Sequence, residues 1–203
     1  MFASNGVLFN HESPIRGETF VTRKITRAAA RIVLGLQEKF YLGNLNAQRD
    51  WGHAKDYVEA MWKMLQIDTP MDLVISTGKT TSIRDFVRMV FKKLGITLRF
   101  AGDGANEHAI VDSLDKETLA KLRLLNTPLK KGKIILQVDQ RYFRPTEVDI
   151  LIGDSTKARE VLNWQPKYDL ERLISEMTLA DLKLMKQDKF LLDSGFEQQK
   201  NHE

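Results

Sequence analysis

Four polar side chains that could bind an anion or form hydrogen bonds follow a short apolar run near the start of the chain. The run, Val7-Leu8-Phe9, suits a buried strand. The four side chains are Asn10, His11, Arg16 and Lys24. Because open α/β sheets bind ligands at the carboxyl ends of their strands, this position favours a binding site.

The residues after the run predict a loop that leads into a helix. Pro14 and Gly17 indicate the loop, and a helical pattern begins at Glu18 or Thr19. The first turn of a helix offers unpaired N–H groups and the positive end of its dipole, and Lys24 adds a full charge. This combination predicts a phosphate site. Arg16 also suits a phosphate because its planar guanidinium can form paired hydrogen bonds to oxyanions. Alternatively, His11 is a hydrogen-bonded histidine after a strand and Arg16 a solvated arginine.

The predicted helix carries an apolar stripe and a basic stripe. Apolar residues recur at spacings of i, i+4, i+7, i+11 and i+15, which predicts a helix of about 18 residues. They are Val21, Ile25, Ala28, Ile32 and Leu36. The basic stripe is Arg23, Arg27 and Arg31, which we expect to face water or a partner subunit. Lys24 lies one residue off this stripe and beside the apolar side, so it can turn toward the pocket.

A second candidate element surrounds Pro145. Arg144 and Glu147 are three residues apart. A proline at the first helical position would leave both on one face of a starting turn, where the arginine could grip a phosphate and the glutamate accept from ribose hydroxyls. A local ion pair is the alternative.

The charged residues of segment 50–56 do not predict a metal site. They are Asp50, His53, Lys55 and Asp56. Dispersed histidines and aspartates at helical spacing are better explained by loop anchoring and surface charge. The nearest match to a phosphate-cradling glycine loop, Gly102-Asp-Gly104-Ala-Asn-Glu107, lacks the last glycine and is interpreted as a surface turn.

Composition narrows the class of protein. The 203 residues are 42% hydrophobic, enough for one sizeable domain with a smaller lobe. There is no cysteine, which excludes a disulfide framework and a thiolate metal site and is compatible with the cytoplasm. No apolar run approaches the ~20 residues of a membrane span and no signal peptide is evident, so we expect a soluble protein. The net charge of +4 favours an anionic ligand without demanding nucleic acid.

Strands and helices alternate along the chain. Predicted strands cover residues 40–42, 73–75 and 134–136, and predicted helices cover 54–65, the segment after Ser82, 154–163 and a stripe from Leu170 to Leu184. Residues 102–132 break this alternation and are expected to be an insertion or lid. We expect one domain over 1–187 and a polar tail over 188–203.

Three segments together closely resemble the GDP-mannose 4,6-dehydratase family of the NAD-dependent epimerase/dehydratase superfamily (extended short-chain dehydrogenases/reductases). They are residues 5–24, Arg49-Asp-Trp-Gly-His-Ala-Lys-Asp-Tyr57 and Arg141-Tyr-Phe-Arg-Pro-Thr-Glu-Val148. The resemblance covers roughly residues 2 to 185. It implies an α/β fold made of the last part of a Rossmann-type sheet plus a smaller α/β substrate-binding lobe.

In that family the first half supplies the dinucleotide fold and the catalytic Tyr-x-x-x-Lys pair, and this chain resembles the second half. Its four tyrosines are followed four residues later by Leu45, Met61, Thr146 and Arg172, so none forms the pair and no catalytic residue is assigned. The chain is therefore expected to begin inside a gene product and to be a truncated, inactive, sugar-nucleotide-binding fragment. The alternative is a non-catalytic pseudoenzyme subunit. A nucleic-acid binder using the basic stripe is disfavoured because no binding module is recognisable.

The resemblance also implies ligands and roles. His11 and Arg16 would contact the cofactor, NADP. The GDP-mannose site would be lined by Asn10, Val21, Lys24 and Arg49, with Lys24 and Arg49 near the diphosphate. Arg144 and Glu147 would contact the nucleotide part of the substrate. Intact relatives would convert GDP-mannose to GDP-4-dehydro-6-deoxy-D-mannose and water. The expected partners are a second copy of the chain or a full-length homologue.

Overall fold

The computed structural model describes residues 1–142 and 148–196. Its strands are β1 (Gly6–Leu8), β2 (Asn10–Glu12), β3 (Phe40–Leu42), β4 (Gln48–Arg49), β5 (Trp51–His53), β6 (Leu73–Ile75), β7 (Thr81–Ser82), β8 (Ile96–Ala101), β9 (His108–Leu114), β10 (Ile134–Val138) and β11 (Ile150–Leu151). Its α-helices are α1 (Val21–Val33), α2 (Ala54–Met64), α3 (Ile83–Lys93), α4 (Lys116–Lys121), α5 (Thr156–Leu162) and α6 (Leu170–Asp193). Within the described part of the chain, no helix has the length and apolarity to cross a bilayer.

The strands form four small sheets. The largest has the order β3-β10-β9-β8, in which β10 runs parallel to β3 and antiparallel to β9. A second sheet has the order β11-β4-β7. Two parallel pairs, β1 with β6 and β2 with β5, complete the set. The predicted strands at 40–42, 73–75 and 134–136 are therefore confirmed.

The larger core lies between the four-stranded sheet and helices α1, α3 and α6. The apolar stripe predicted on α1 is buried there at Ile25, Ala28 and Ile32, while Val21 and Leu36 pack at the edge of the core. The spacing predicts this stripe because the apolar face of an amphipathic helix packs against the core, away from water.

The smaller core packs α2 and α5 against the β1–β6 pair. Its largest members are Trp164 and Tyr57, and Leu73 and Ile75 of β6 lie beneath them. The indole N–H of Trp164 donates to the carbonyl of Asp56 at 2.9 Å, so this buried ring has its polar atom satisfied.

Some helix starts are stabilised by a nearby polar side chain, and others are not. Ser82 Oγ accepts from the N–H of Asp85 at 3.0 Å, as its spacing predicts. Asp154 accepts from the N–H of Thr156 at 2.9 Å. Helix α1 instead begins at Val21, after an extended Phe20 that forms no side-chain cap hydrogen bond. The start expected at Glu18 or Thr19 is therefore two or three residues too early.

Two segments outside the predicted alternation of strands and helices contain regular structure. Residues 102–132, expected to be an insertion or lid, contain β9 and α4, and bury Ala109, Val111 and Leu119 in the larger core. Residues 188–193, assigned to a polar tail, continue α6 as far as Asp193. Residues 197–203 lie outside the described part.

The prediction for the basic stripe on α1 is wrong at its first residue, Arg23, which was expected to face water or a partner subunit. Arg23 is buried, and its Nε donates to both carboxylate oxygens of Asp181 on α6, at 2.8 and 3.0 Å. Asp181 also accepts from Thr26 at 2.6 Å. Arg23 therefore joins two helices and does not face water, because a buried guanidinium requires a charged partner.

Candidate functional site

The candidate site lies where β2 ends and the chain crosses to α1. Strand β2 places Asn10 opposite Trp51 of β5, and His11 opposite Gly52. Both Asn10 and His11 are half-buried. Arg49 precedes β5 by two residues, so the parallel pairing of β2 with β5 brings the 49–53 segment alongside the first segment.

His11 is held in one orientation. Its Nδ1 lies 2.9 Å from the carbonyl oxygen of Phe9. Because a carbonyl only accepts, Nδ1 donates, and in the neutral ring Nε2 is left as an acceptor. The imidazole lies against the Tyr57 ring, with centroids 5.0 Å apart and planes inclined by 30°.

Tyr57 supports this arrangement from beneath. It is buried, and its hydroxyl has no hydrogen-bond partner among the residues that the structure describes. Burial raises the pKa of Tyr57, and the nearby carboxylates of Asp50, Asp56 and Glu12 raise it further. Gly52 has to be a glycine here, since a Cβ would overlap the Tyr57 ring. The spacing of residues does not predict the contact between Tyr57 and His11, because the two are 46 residues apart along the chain.

Arg16 is positioned by a buried carboxylate and an aromatic ring. Its Nε lies 3.3 Å from Glu12, and its guanidinium carbon lies 3.5 Å from the centre of the Phe20 ring. The Nε makes no aligned hydrogen bond, so we treat the contact with Glu12 as a charge interaction. Glu12 also accepts from Thr22 Oγ1 at 2.6 Å, which ties β2 to the first turn of α1.

Glu12 is the titratable group at the centre of this junction. Burial raises the pKa of its carboxyl, and the Thr22 hydrogen bond together with the charges of Arg16 and His11 partly offsets that rise. A carboxylate that anchors the arginine was not among the predicted site residues. The signal that could have found it is the spacing of four between Glu12 and Arg16.

Lys24 and Val21 lie on the first turns of α1. The Lys24 ammonium nitrogen lies 3.8 Å from the centre of the Tyr142 ring, an arrangement that holds the charge over an aromatic face. Val21 is half-buried and packs against the edge of the larger core.

Arg49 donates from one nitrogen to the carbonyls of Gln48 at 2.9 Å and Val148 at 2.6 Å. Arg144 and Glu147 lie outside the described residues.

Asp50 anchors the loop after β6. Its fully buried carboxylate accepts from the Thr77 N–H at 3.0 Å, the Thr77 hydroxyl at 2.6 Å and the Gly78 N–H at 2.8 Å. The interpretation of Asp50 as a loop anchor is therefore confirmed.

The interpretation of surface charge is wrong for His53 and Asp56, which are buried. His53 Nδ1 accepts from the Lys55 N–H at 3.1 Å, and its Nε2 lies 2.9 Å from Glu176. Burial alone would raise the pKa of Glu176, but the hydrogen bond and charge of His53, with the charge of Lys55, lower it overall. Across residues 1–142 and 148–196, no group of three side chains could hold a metal ion.

The chain matches known proteins over most of its length. A family model for GDP-mannose 4,6 dehydratase matches residues 1–177. A GDP-mannose 4,6-dehydratase of Yersinia enterocolitica is 52% identical over 197 residues, which is 97% of this chain and 51% of that protein. A GDP-mannose 4,6 dehydratase of Homo sapiens is 52% identical over 92% of this chain and 45% of its own length. This chain thus spans about half the length of the curated relatives it matches.

Solved structures show the same fold at low identity. RMD from Pseudomonas aeruginosa, complexed with NADPH, matches 88% of this chain and 47% of its own, with a TM-score of 0.60 and 15% identity. A UDP-glucose-4-epimerase from Stenotrophomonas maltophila with bound NAD matches 92% of this chain and 49% of its own, with a TM-score of 0.61 and 12% identity. The predicted α/β class, part of a Rossmann-type sheet with a smaller lobe, is confirmed. With its family model and its relatives in agreement, the chain belongs to the GDP-mannose 4,6-dehydratase family.

Proposed function

We propose that this chain forms the nucleotide-sugar-binding part of a GDP-mannose 4,6-dehydratase site and that its 203 residues do not turn over substrate by themselves. One observation supports the proposal: Asn10, His11, Arg16 and Lys24 lie on β2, on the first turns of α1 or on the segment between them, in a chain that is about half identical to named GDP-mannose 4,6-dehydratases. The noncatalytic part rests on the lack of a Tyr-x-x-x-Lys pair in the sequence.

The substrate in this proposal is GDP-mannose, with its diphosphate near Lys24 and Arg49. A lysine held over an aromatic ring presents a fixed positive charge, which suits an oxyanion. Asn10 and Val21 complete the wall on the side of β2 and α1. Arg144 and Glu147 remain proposed contacts of the nucleotide, on the strength of their sequence pattern.

The cofactor in this proposal is NADP, which fits the residues at the junction. His11 presents an acceptor at Nε2, and Arg16 presents a guanidinium whose position is set by Glu12 and Phe20. When bound, a nicotinamide dinucleotide accepts a hydride from the sugar and returns it. This chain's residues bind and orient: His11 accepts a hydrogen bond, and Arg16 pairs with a phosphate. The 203 residues contain no glycine fingerprint for the pyrophosphate.

In an intact enzyme this arrangement would serve the conversion of GDP-mannose to GDP-4-dehydro-6-deoxy-D-mannose and water. The alternative is a pseudoenzyme subunit that binds a nucleotide sugar or a complete homologue without reacting. In both cases we propose that the chain associates, with a second copy or with a homologue. A complementing polypeptide that carries Tyr-x-x-x-Lys distinguishes the enzyme part from the pseudoenzyme subunit. It should restore turnover only if the chain is part of an enzyme.

Calorimetric titration of the purified chain with GDP-mannose tests the binding proposal. Replacing Lys24 by Ala removes a charge-assisted contact worth roughly 1.5–3 kcal/mol, so binding should weaken about tenfold or more. The matched control is Lys121→Ala, which removes an exposed lysine paired with Glu117 on α4. Equal affinity in the wild type and the Lys24 variant would contradict the assignment.

A product assay tests the noncatalytic part separately. Incubation of the chain with GDP-mannose and NADP should give 4-keto sugar only at the level of a control without protein. Turnover well above that level would show that the 203 residues contain catalytic groups other than the Tyr/Lys pair.

A further inference from the structure

Arg23 makes a second contact, with the segment that carries Arg16. While its Nε donates to the carboxylate of Asp181, its Nη1 donates to the main-chain carbonyl oxygen of Arg16 at 2.8 Å. That carbonyl lies in residues 13–20, which connect β2 to α1 and which we call the 13–20 loop. The side chains of Arg23 and Asp181 are 9% and 1% exposed, so the ion pair is shielded from water. A buried ion pair between two helices is therefore also bound to the loop that presents Arg16.

The shape of a guanidinium makes this double contact possible. Its N–H groups point in fixed directions in one plane, so one side chain can hold acceptors at two separate positions. In Arg23, Nε holds the Asp181 carboxylate and Nη1 holds the Arg16 carbonyl. A lysine ends in a single nitrogen, which cannot occupy both donor positions. Arg23 thus fixes the position of the loop relative to α6.

The other contacts of the 13–20 loop hold it less firmly to the core. Its backbone hydrogen bonds are local, and the N–H of Arg16, for example, donates to the carbonyl of Ser13 at 3.0 Å. Glu18 pairs with Arg27 of α1 at 2.8 Å, but the Glu18 side chain is 46% exposed. An ion pair that is open to water contributes little. The hydrogen bond from Arg23 is therefore the contact that we expect to restrain the main chain at Arg16.

We propose that Arg23 and Asp181 are positioning residues for Arg16. Asp181 holds the Arg23 guanidinium, and Arg23 holds the main chain at Arg16. Glu12 and Phe20 then set the direction of the Arg16 side chain. The inference rests on the proposed function, because it takes Arg16 to pair with a phosphate of the cofactor. It extends the site to α6, which carries no proposed ligand contact.

This arrangement should favour cofactor binding more than sugar binding. A loop that is already ordered loses less conformational entropy when a ligand binds, so the ligand binds more tightly. Arg16 lies on the loop, whereas Lys24 lies on α1 with its ammonium group held over the Tyr142 ring. Release of the loop should therefore weaken the proposed cofactor contact and leave the proposed GDP-mannose contact unchanged.

Hydrogen exchange in the free chain tests the contact directly. The variant Arg23→Lys keeps a positive charge beside Asp181 and removes the separate donor to Arg16. The amides of Arg16 and Phe20, which close two turns of the loop, should exchange about three- to tenfold faster, as expected for the loss of one hydrogen bond. The matched control is Arg31→Lys, the same replacement in the last turn of α1, which should leave both rates unchanged.

A second variant separates positioning from stability. Thr26→Val removes the hydrogen bond from Thr26 to Asp181 and leaves Arg23 in place. It should lower the free energy of unfolding without faster exchange in the loop. If Thr26→Val sped loop exchange as much as Arg23→Lys does, the loop would respond to weaker helix packing in general, which overturns the proposal. Exchange of the wild-type Arg16 amide at the rate of an unstructured peptide would overturn it without any variant.

Titrations with NADPH and GDP-mannose separate this inference from the proposed function. Arg23→Lys should bind NADPH about three- to tenfold more weakly than the wild type and bind GDP-mannose equally well. Equal loss of both affinities would overturn the proposal. Unchanged loop exchange in Arg23→Lys, with NADPH binding weakened in Arg16→Ala, contradicts the positioning role alone. Faster loop exchange in Arg23→Lys, with no difference in NADPH binding between Arg16→Ala and the wild type, contradicts the proposed cofactor contact alone.

Discussion

The two cores of this chain differ in how completely each encloses itself. The larger core, between the four-stranded sheet and helices α1, α3 and α6, is closed by a buried ion pair between Arg23 and Asp181. The smaller core, between α2, α5 and the β1–β6 pair, has no second strand beside β1 among the described residues and leaves Val58 and Trp62 of α2 exposed. The comparison indicates that the larger core is tied together by a charged contact between two distant helices, whereas the smaller core leaves large apolar side chains at its edge.

The candidate site lies at the boundary between these regions. Glu12 belongs to β2, which packs toward α2, and its hydrogen bond to Thr22 reaches α1 of the larger core. His11 likewise lies against Tyr57 of the smaller core. The candidate site residues therefore contact both cores.

The largest expected effect is on the closed core. Replacing Asp181 by Ala leaves the Arg23 guanidinium buried without its carboxylate, and we expect a loss of about 3–5 kcal/mol in the free energy of unfolding. Urea denaturation measures it. The control is Glu117→Ala, which breaks an exposed ion pair with Lys121 and should cost less than about 0.5 kcal/mol. A loss below about 1 kcal/mol for Asp181→Ala would mean that the pair does not hold α1 to α6.

A smaller effect is expected at the boundary. Replacing Asp50 by Ala removes a buried acceptor of three hydrogen bonds, and the donors of Thr77 and Gly78 lose their partner. We expect a loss of roughly 2–3 kcal/mol and faster hydrogen exchange at both amides. The matched control is Asp154→Ala, an exposed aspartate that accepts from Thr156 in the same way. If Asp50→Ala and Asp154→Ala lowered the free energy of unfolding equally, the buried aspartate would stabilise its loop no more than the exposed one does.

The pH dependence of stability should change when Glu12 is replaced by Gln. Burial raises the pKa of Glu12 in the folded state, so the folded state holds its proton to higher pH than the unfolded chain does. Its contribution to stability therefore falls as pH rises from the ordinary glutamate range through the raised pKa. The Glu12→Gln variant lacks this fall, so its stability relative to wild type should rise with pH across that window. Thermal melts at several pH values measure the difference, and a constant difference would contradict the raised pKa.

The smallest effect is expected on the open side of the second core. Trp62 is exposed, so Trp62→Ser should change the unfolding free energy of the isolated chain by less than about 0.5 kcal/mol. By contrast, Trp164→Ala in the same core should cost roughly 3–5 kcal/mol, because that ring is buried. A large cost for Trp62→Ser would show that the exposed side of α2 already has a partner within the chain or in a second copy.

Local patterns in the sequence predicted local structure well. The α1 stripe at Ile25, Ala28 and Ile32 follows from helical spacing alone, and the Ser82 cap follows from a polar side chain three residues before Asp85. Strand segments such as 73–75 were found because they are short, apolar and bounded by polar residues. The order of the longer helices and of β3, β6 and β10 could be predicted for the same reason.

Contacts between distant residues could not be predicted from the same patterns. Helical spacing does not distinguish a solvated arginine from Arg23, whose partner Asp181 lies 158 residues away. Strands β4, β7 and β11 have two residues each and leave no periodic signal. In the site, His11 and Arg16 were identified by type and by resemblance. Tyr57, beneath His11, depends on a pairing of strands that no local pattern contains.

The pairing of β1 with β6 also joins two segments that are synthesised at different times. Gly6 pairs with Leu73, so the first strand leaves the ribosome 67 residues before its partner. At a synthesis rate of about 5–20 residues per second, β1 waits roughly 3 to 13 s for β6. Arg23 waits for Asp181 more than twice as long, because 158 residues separate them. The larger core is therefore completed last during synthesis, because its buried ion pair needs α6. A nascent chain arrested before α6 carries Arg23 without its carboxylate partner.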